Sequence, residues 1–197
     1  AWGVNFESSK VVADMNYRLE IDGGGGRPQQ RPTWLQLTPD AMDTNDVVTS
    51  QLDNVMYFAG GAFSGTPAAG LTRTVLLKST ADSQLVEGMM ANLAPENTVK
   101  EFKASGVEQA LALRLTGKFK SAFPDGKPAE KKDDEKKAED KPEAKPAADS
   151  LKESKVESTV ILVGDSDMVH DSFSIRDVPT PFGNLRQQIN QNLNFAQ

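Results

Sequence analysis

Cysteine is absent from this 197-residue chain, histidine occurs once, and no stretch approaches the roughly 20 consecutive apolar residues that cross a bilayer as a helix. Without cysteine there are no disulfides, thiolate nucleophiles or cysteine-ligated zinc, and the chain fits a reducing or an oxidising compartment equally. A single histidine, His170, would have to serve any triad alone, and no Gly-x-Ser-x-Gly turn accompanies it. A basic surplus is missing too: 22 basic residues against 28 acidic ones give a formal net charge of -6. Nucleic acid is thereby excluded as a partner, because neutralising phosphates needs an excess of lysine and arginine on one face.

What is present is a core of ordinary size, with 38% hydrophobic residues. Several runs read as strands. Residues 33–38 alternate apolar and polar, and residues 54–63 carry Val55, Tyr57, Phe58 and Phe63 ahead of a Ser64-Gly65-Thr66-Pro67 turn. Residues 72–80 centre on Val75-Leu76-Leu77. Residues 109–119 set Leu111, Leu113 and Leu115 against Ala112, Arg114 and Thr116, which predicts a half-buried strand with a polar, exposed side. Val160-Ile161-Leu162-Val163 reads as an interior strand that stops at Gly164. Helical spacing predicts a helix over 82–92 from Leu85, Val86, Met89 and Met90, and a short one over 95–102. A third, near the carboxyl end, is predicted from Leu185, Ile189, Leu193 and Ala196, with Asn184 as cap. The predicted class is α/β, a mixed central sheet of about five to six strands flanked by a few short helices.

Residues 127–157 hold nine lysines and ten acids with no aromatic residue. Such a tract buries too little apolar surface to offset its ordering entropy, which predicts a disordered charged insertion at about 125–157. Only about 40 residues follow, too few for a core of their own, so residues 1–197 are expected to form one domain with the insertion between two strands of one sheet. The run Asp22-Gly23-Gly24-Gly25-Gly26-Arg27-Pro28 reads as a surface loop, since it lacks the strand-then-helix context of a phosphate loop.

Two clusters are candidates for ligand or partner binding. Asp165, Asp167 and His170, with Asp171 beside them, follow the apolar run, where α/β proteins often place ligands, and their side chains could bind a divalent cation or act as acid and base. The alternative is that Asp165 or Ser166 caps the following turn and His170 is merely exposed. Ser79, Thr80 and Ser83 end the strand at 72–80, where hydroxyls and amides could grip an anionic or sugar ligand, or simply cap the chain. Trp2, Trp34, Tyr17, Tyr57 and Phe63 either stack on sugars or fill the core. No cofactor, resident metal or catalytic set is expected.

Seven segments in order carry a family resemblance: Trp2-Gly3-Val4, Val11-Val12-Ala13-Asp14, residues 46–52, Leu76-Leu77-Lys78-Ser79-Thr80, residues 115–124, Val163-Gly164-Asp165-Ser166-Asp167 and Asn192-Leu193-Asn194-Phe195. Together they resemble the auxiliary proteins of an uncharacterised ABC transport system, the relatives of the gliding-motility protein GldG. The resemblance implies a non-enzymatic α/β domain, part of a larger region at the extracytoplasmic (periplasmic) face of the inner membrane. It also implies anchoring by membrane helices outside this fragment, ABC permease and ATPase subunits as partners, and a possible protein or glycan ligand. It supplies no catalytic residues. The functional alternative is a glycan- or metal-binding module or hydrolase that uses Asp165 and Asp167.

Overall fold

The computed structural model describes residues 1–124 and 151–196, so most of the expected charged insertion lies outside the described residues. In chain order the first strands are β1 (Asn5–Phe6), β2 (Lys10–Asp14), β3 (Arg18–Asp22), β4 (Pro28–Leu37), β5 (Val55–Phe58), β6 (Phe63–Ser64), β7 (Leu71–Lys78) and β8 (Ser83–Glu87). Helices α1 (Gly88–Leu93) and α2 (Pro95–Lys100) follow, then β9 (Ala110–Gly117) and β10 (Ser158–Val163). Helix α3 (Asp171–Ser174), the hairpin β11 (Ile175–Thr180) and β12 (Gly183–Gln188), and α4 (Asn192–Phe195) complete the chain. The class is α/β, dominated by strands, with short helices. None of the helices among the described residues is long and apolar enough to cross a membrane.

Strand β9 organises the largest sheet, which has five strands. It pairs with β7 on one side and β10 on the other, and Phe63 of β6 continues the β10 side opposite Ala110. The remaining strands form a three-stranded sheet β3-β4-β5 and the pairs β2-β8 and β11-β12. A mixed sheet was expected, but every pairing among the described residues is antiparallel. Short turns enforce antiparallel pairing in the hairpins β3-β4 and β11-β12, because parallel neighbours need a crossover of a dozen or more residues, whereas β7, β9 and β10 reach the same arrangement across long connections. An antiparallel sheet has no carboxyl edge, so the reason for looking for a ligand at the end of β10 loses its force.

The core forms where the sheets meet. Leu35, Leu37, Val55 and Tyr57 from β4 and β5 pack with Leu76, Leu77, Leu111 and Ala112 from β7 and β9, joined by Val12, Met168 and Phe195. Each buried leucine, valine, methionine or phenylalanine among them contributes about 1.5–3 kcal/mol by leaving water. The alternation of β4 is as predicted, with Thr33, Leu35 and Leu37 buried and Gln36 exposed. In β7 the register slips between Val75 and Leu77, and this bulge allows the adjacent Leu76 and Leu77 both to be fully buried.

Four predicted features differ in the structure. Residues 83–87 form strand β8, in register with β2 from Lys10 opposite Glu87 to Asp14 opposite Ser83, and the helix begins only at Gly88. Val11-Val12-Ala13 needs a strand partner, and this tertiary demand overrides the helical spacing; Met89 and Met90 end up exposed. The carboxyl-terminal helix is reduced to α4, because Pro179, Pro181 and Gly183 (φ +117°) turn the preceding residues into a hairpin, closed by the Thr180 hydroxyl donating to Gly183 O at 2.6 Å. Strand β10 is not interior: it has one partner strand, and its residues are half-buried or exposed. Finally, β9 has no free polar face at Arg114, whose guanidinium lies 2.6 Å from the buried carboxylate of Asp46. Asp46 also accepts from Val48 N–H at 3.0 Å and so starts a single turn there.

At Gly164 the backbones of β10, β9 and the β5–β6 connection converge. Its N–H donates to Leu111 O at 3.0 Å and its carbonyl accepts from Gly61 N–H at 2.8 Å. A Cβ there would stand 2.4 Å from the Tyr57 hydroxyl and 2.6 Å from Gly61 O. Gly164→Ala is therefore expected to destabilise the chain by about 2–3 kcal/mol in urea denaturation. An unchanged midpoint would show that the neighbouring backbone yields.

Candidate functional site

Asp165 follows this convergence and is buried. Its Oδ2 accepts from Phe58 N–H of β5 at 2.5 Å, and its Oδ1 accepts from Asp167 N–H at 2.8 Å and Met168 N–H at 3.2 Å. Both oxygens thus satisfy backbone donors, one in a neighbouring sheet and two in the 3₁₀ turn Asp167–Val169. Burial pushes the carboxyl up to about 6; the three amide donors pull the other way, and the charge of Asp167 adds slightly to the rise. The Tyr57 hydroxyl donates to Gly61 O at 2.6 Å, and burial followed by the nearby Asp165 charge raises it well above the ordinary phenol range.

The other members of this cluster point elsewhere. Asp167 and His170 are exposed. His170 Nδ1 accepts from Ser172 N–H at 3.2 Å at the start of α3, and the ring packs edge-on to Phe173 at 6.3 Å. Among the described residues no group of three or more histidine, cysteine, aspartate or glutamate side chains comes together in a way that could hold a metal ion. The capping role considered for Asp165 is what its contacts show, and His170 performs a similar one next door.

The hydroxyl cluster is also tied to its own chain. Ser79 Oγ lies 2.8 Å from Ser83 Oγ and accepts from Gln109 N–H at 2.8 Å, and both serines are buried. Thr80 turns toward Asp14. The Asp14 carboxylate, fully buried, accepts from Thr80 N–H at 2.6 Å, the Thr80 hydroxyl at 3.1 Å, Asn16 N–H at 2.8 Å and Tyr17 N–H at 3.2 Å. Asp14 is therefore the counterpart of Asp165: an acid ending an apolar strand that spends both oxygens on chain ends. No hydrogen bond among the described residues joins the two clusters.

A third polar centre was not foreseen. Fully buried Asn192 accepts from Met56 N–H at 2.8 Å and donates to Met56 O at 2.9 Å and Met168 O at 2.7 Å, while Gln191 Oε1 accepts from Asn54 N–H at 3.1 Å. Its side-chain amide imitates a strand residue along β5. The one signal in the sequence was the polar run Asn190-Gln191-Asn192 immediately before apolar Leu193. Of the aromatic candidates, Tyr57 belongs to the core, Trp34 packs edge-on to Phe58 at 5.7 Å, and Trp2 packs on Phe119 at 5.0 Å.

This is a strand-rich α/β module whose strand-end polar residues cap its own backbone. The family model described as "ABC-type uncharacterized transport system" matches residues 1–197, and the chain belongs to that family. It is thus an auxiliary component of an ABC-type transport system. No curated protein and no solved structure matches it.

Two measurements check the site. Because the folded carboxyl of Asp165 titrates near 6 and an unfolded aspartate near 4, the folded state holds the extra proton in between, and its stability falls as pH rises from about 4 to 6. The stability gap between Asp165→Asn, which cannot titrate, and the unaltered chain is expected to change across that window in urea titrations; a constant gap would refute the assignment. Asn192→Ala is expected to cost about 3 kcal/mol, since it strands the N–H and C=O of Met56 and leaves Met168 O with the Ser174 hydroxyl alone.

Proposed function

We propose that this chain is a non-enzymatic binding component of its transport system, placed at the extracytoplasmic face of the inner membrane. There it works beside the permease and ATPase subunits and contacts the permease or the exported substrate. Family membership and the commitment of Asp14, Asp165 and Asn192 to backbone support this reading. The observation that carries it is the β11–β12 hairpin. No other strand among the described residues pairs with either of its edges, and two of its apolar side chains face solvent: Phe182 at the tip is 100% exposed and Leu185 60%. A two-stranded ribbon is marginal in water alone, and an apolar tip gains from burial against a partner.

The test is copurification with the permease and ATPase of the same system after coexpression and detergent extraction. Phe182→Asp and Leu185→Asp are expected to lower recovery about tenfold, a loss of about 1.4 kcal/mol in binding, with the urea midpoint unchanged. No copurification of the unaltered chain would end the reading. Calorimetric titration with calcium is expected to give only heat of dilution; tight binding abolished by Asp167→Ala would favour a metal-dependent site instead.

A further inference from the structure

The fold covers four of its sheet edges. Met42 bridges Leu77 beside β7, and Asp43 N–H donates to Leu76 O at 3.0 Å. Asn192 and Gln191 cover the outer edge of β5. Gly60 O accepts from Val12 N–H beside β2, and Ser83 O accepts from Ser105 N–H beside β8. Strand β10 is different. Its pairs run from Ser158 opposite Gly117 to Val163 opposite Ala112, and Gly164 N–H donates to Leu111 O in the same register. Antiparallel alternation then makes Ser158, Val160 and Leu162 the residues bonded to β9, and turns the N–H and C=O of Thr159, Ile161 and Val163 outward. Among the described residues no backbone bond reaches those outward groups.

This edge also lacks the usual protection. Ser158-Thr159-Val160-Ile161-Leu162-Val163 has no charge, no proline and no bulge, and Ile161 is 41% exposed. A bare, regular, apolar edge is a template for another strand. We propose that β10 pairs antiparallel with β10 of a second copy of this chain, about a two-fold axis through Ile161, so that the two five-stranded sheets become one. The outward groups are symmetric about Ile161: Ile161 meets Ile161, and Thr159 meets Val163, with about six main-chain hydrogen bonds across the join. On one face Val160 of one copy lies next to Leu162 of the other, which lines an apolar hollow of about 270 Å³ with Trp2, Val4, Phe6 and Phe63. Lys155 and Asp167, both exposed, lie four residues outside opposite ends of the stretch 159–163, so each lysine falls on the side of the other copy's aspartate. A foreign strand would make the same backbone bonds, but the second copy also supplies matching apolar faces and these opposite charges. The inference does not depend on the transport reading.

Sedimentation equilibrium of the 197-residue chain is expected to show a monomer–dimer equilibrium. Ile161→Glu faces Arg114 within its own sheet, so folding is preserved, but it meets its own like charge across the two-fold axis. It is expected to raise the dissociation constant at least about tenfold with an unchanged urea midpoint. Because the chain has no cysteine, Ile161→Cys provides a second readout: mild oxidation is expected to link it at least about tenfold faster than Leu93→Cys, an exposed control away from the edge. A monomer up to about millimolar concentration, a dimer indifferent to Ile161→Glu, or equal oxidation rates for the two cysteines would overturn the proposal.

Discussion

Where one sheet ends against another, backbone amides lose their strand partners, and the rest of this structure depends on how they are repaid. Asp165 closes the junction between β5 and the end of β10, Asp14 the junction of β2 with the β7–β8 connection, and Asn192 the outer edge of β5. An unmatched buried amide costs about 1–3 kcal/mol, so a few such groups would consume a large part of a small protein's net stability. The three polar side chains are therefore structural in the same sense as Leu35 or Tyr57.

The same logic bears on function. A carboxylate engaged by three backbone donors has little capacity left for a ligand, and the hydroxyls of Ser79 and Ser83 are turned on each other. What remains available to a partner is shape and apolar surface: the projecting β11–β12 hairpin and the uncovered edge of β10. Both suit contact with protein chains, as fits a family of transport-system auxiliaries.

Much of this fold could be read along the chain, and the misses have a common cause. Strands β4, β5, β7 and β9 announce themselves because alternation over several residues is a local signal. Residues 85–90 misled because a strand followed directly by a helix places Leu85, Val86, Met89 and Met90 at helical intervals by accident. The capping role at Asp165 was visible, since two of its three partners lie within three residues. Asn192 was not, because Met56, its partner, is 136 residues away. The half-exposed position of β10 was equally hidden: an apolar run records that a strand forms, not how many neighbours it will have.

The neck below the charged insertion has a practical consequence. Ser121 N–H donates to Lys152 O at 2.8 Å, Ser154 N–H to Phe119 O at 2.9 Å, and Lys120 bridges Glu153, so the chain is clasped before it departs and after it returns. The alignment of β9 with β10 is held at this clasp, whatever sequence is spliced beyond it. That makes the neck a natural place to graft a reporter or to open new chain termini without disturbing the body.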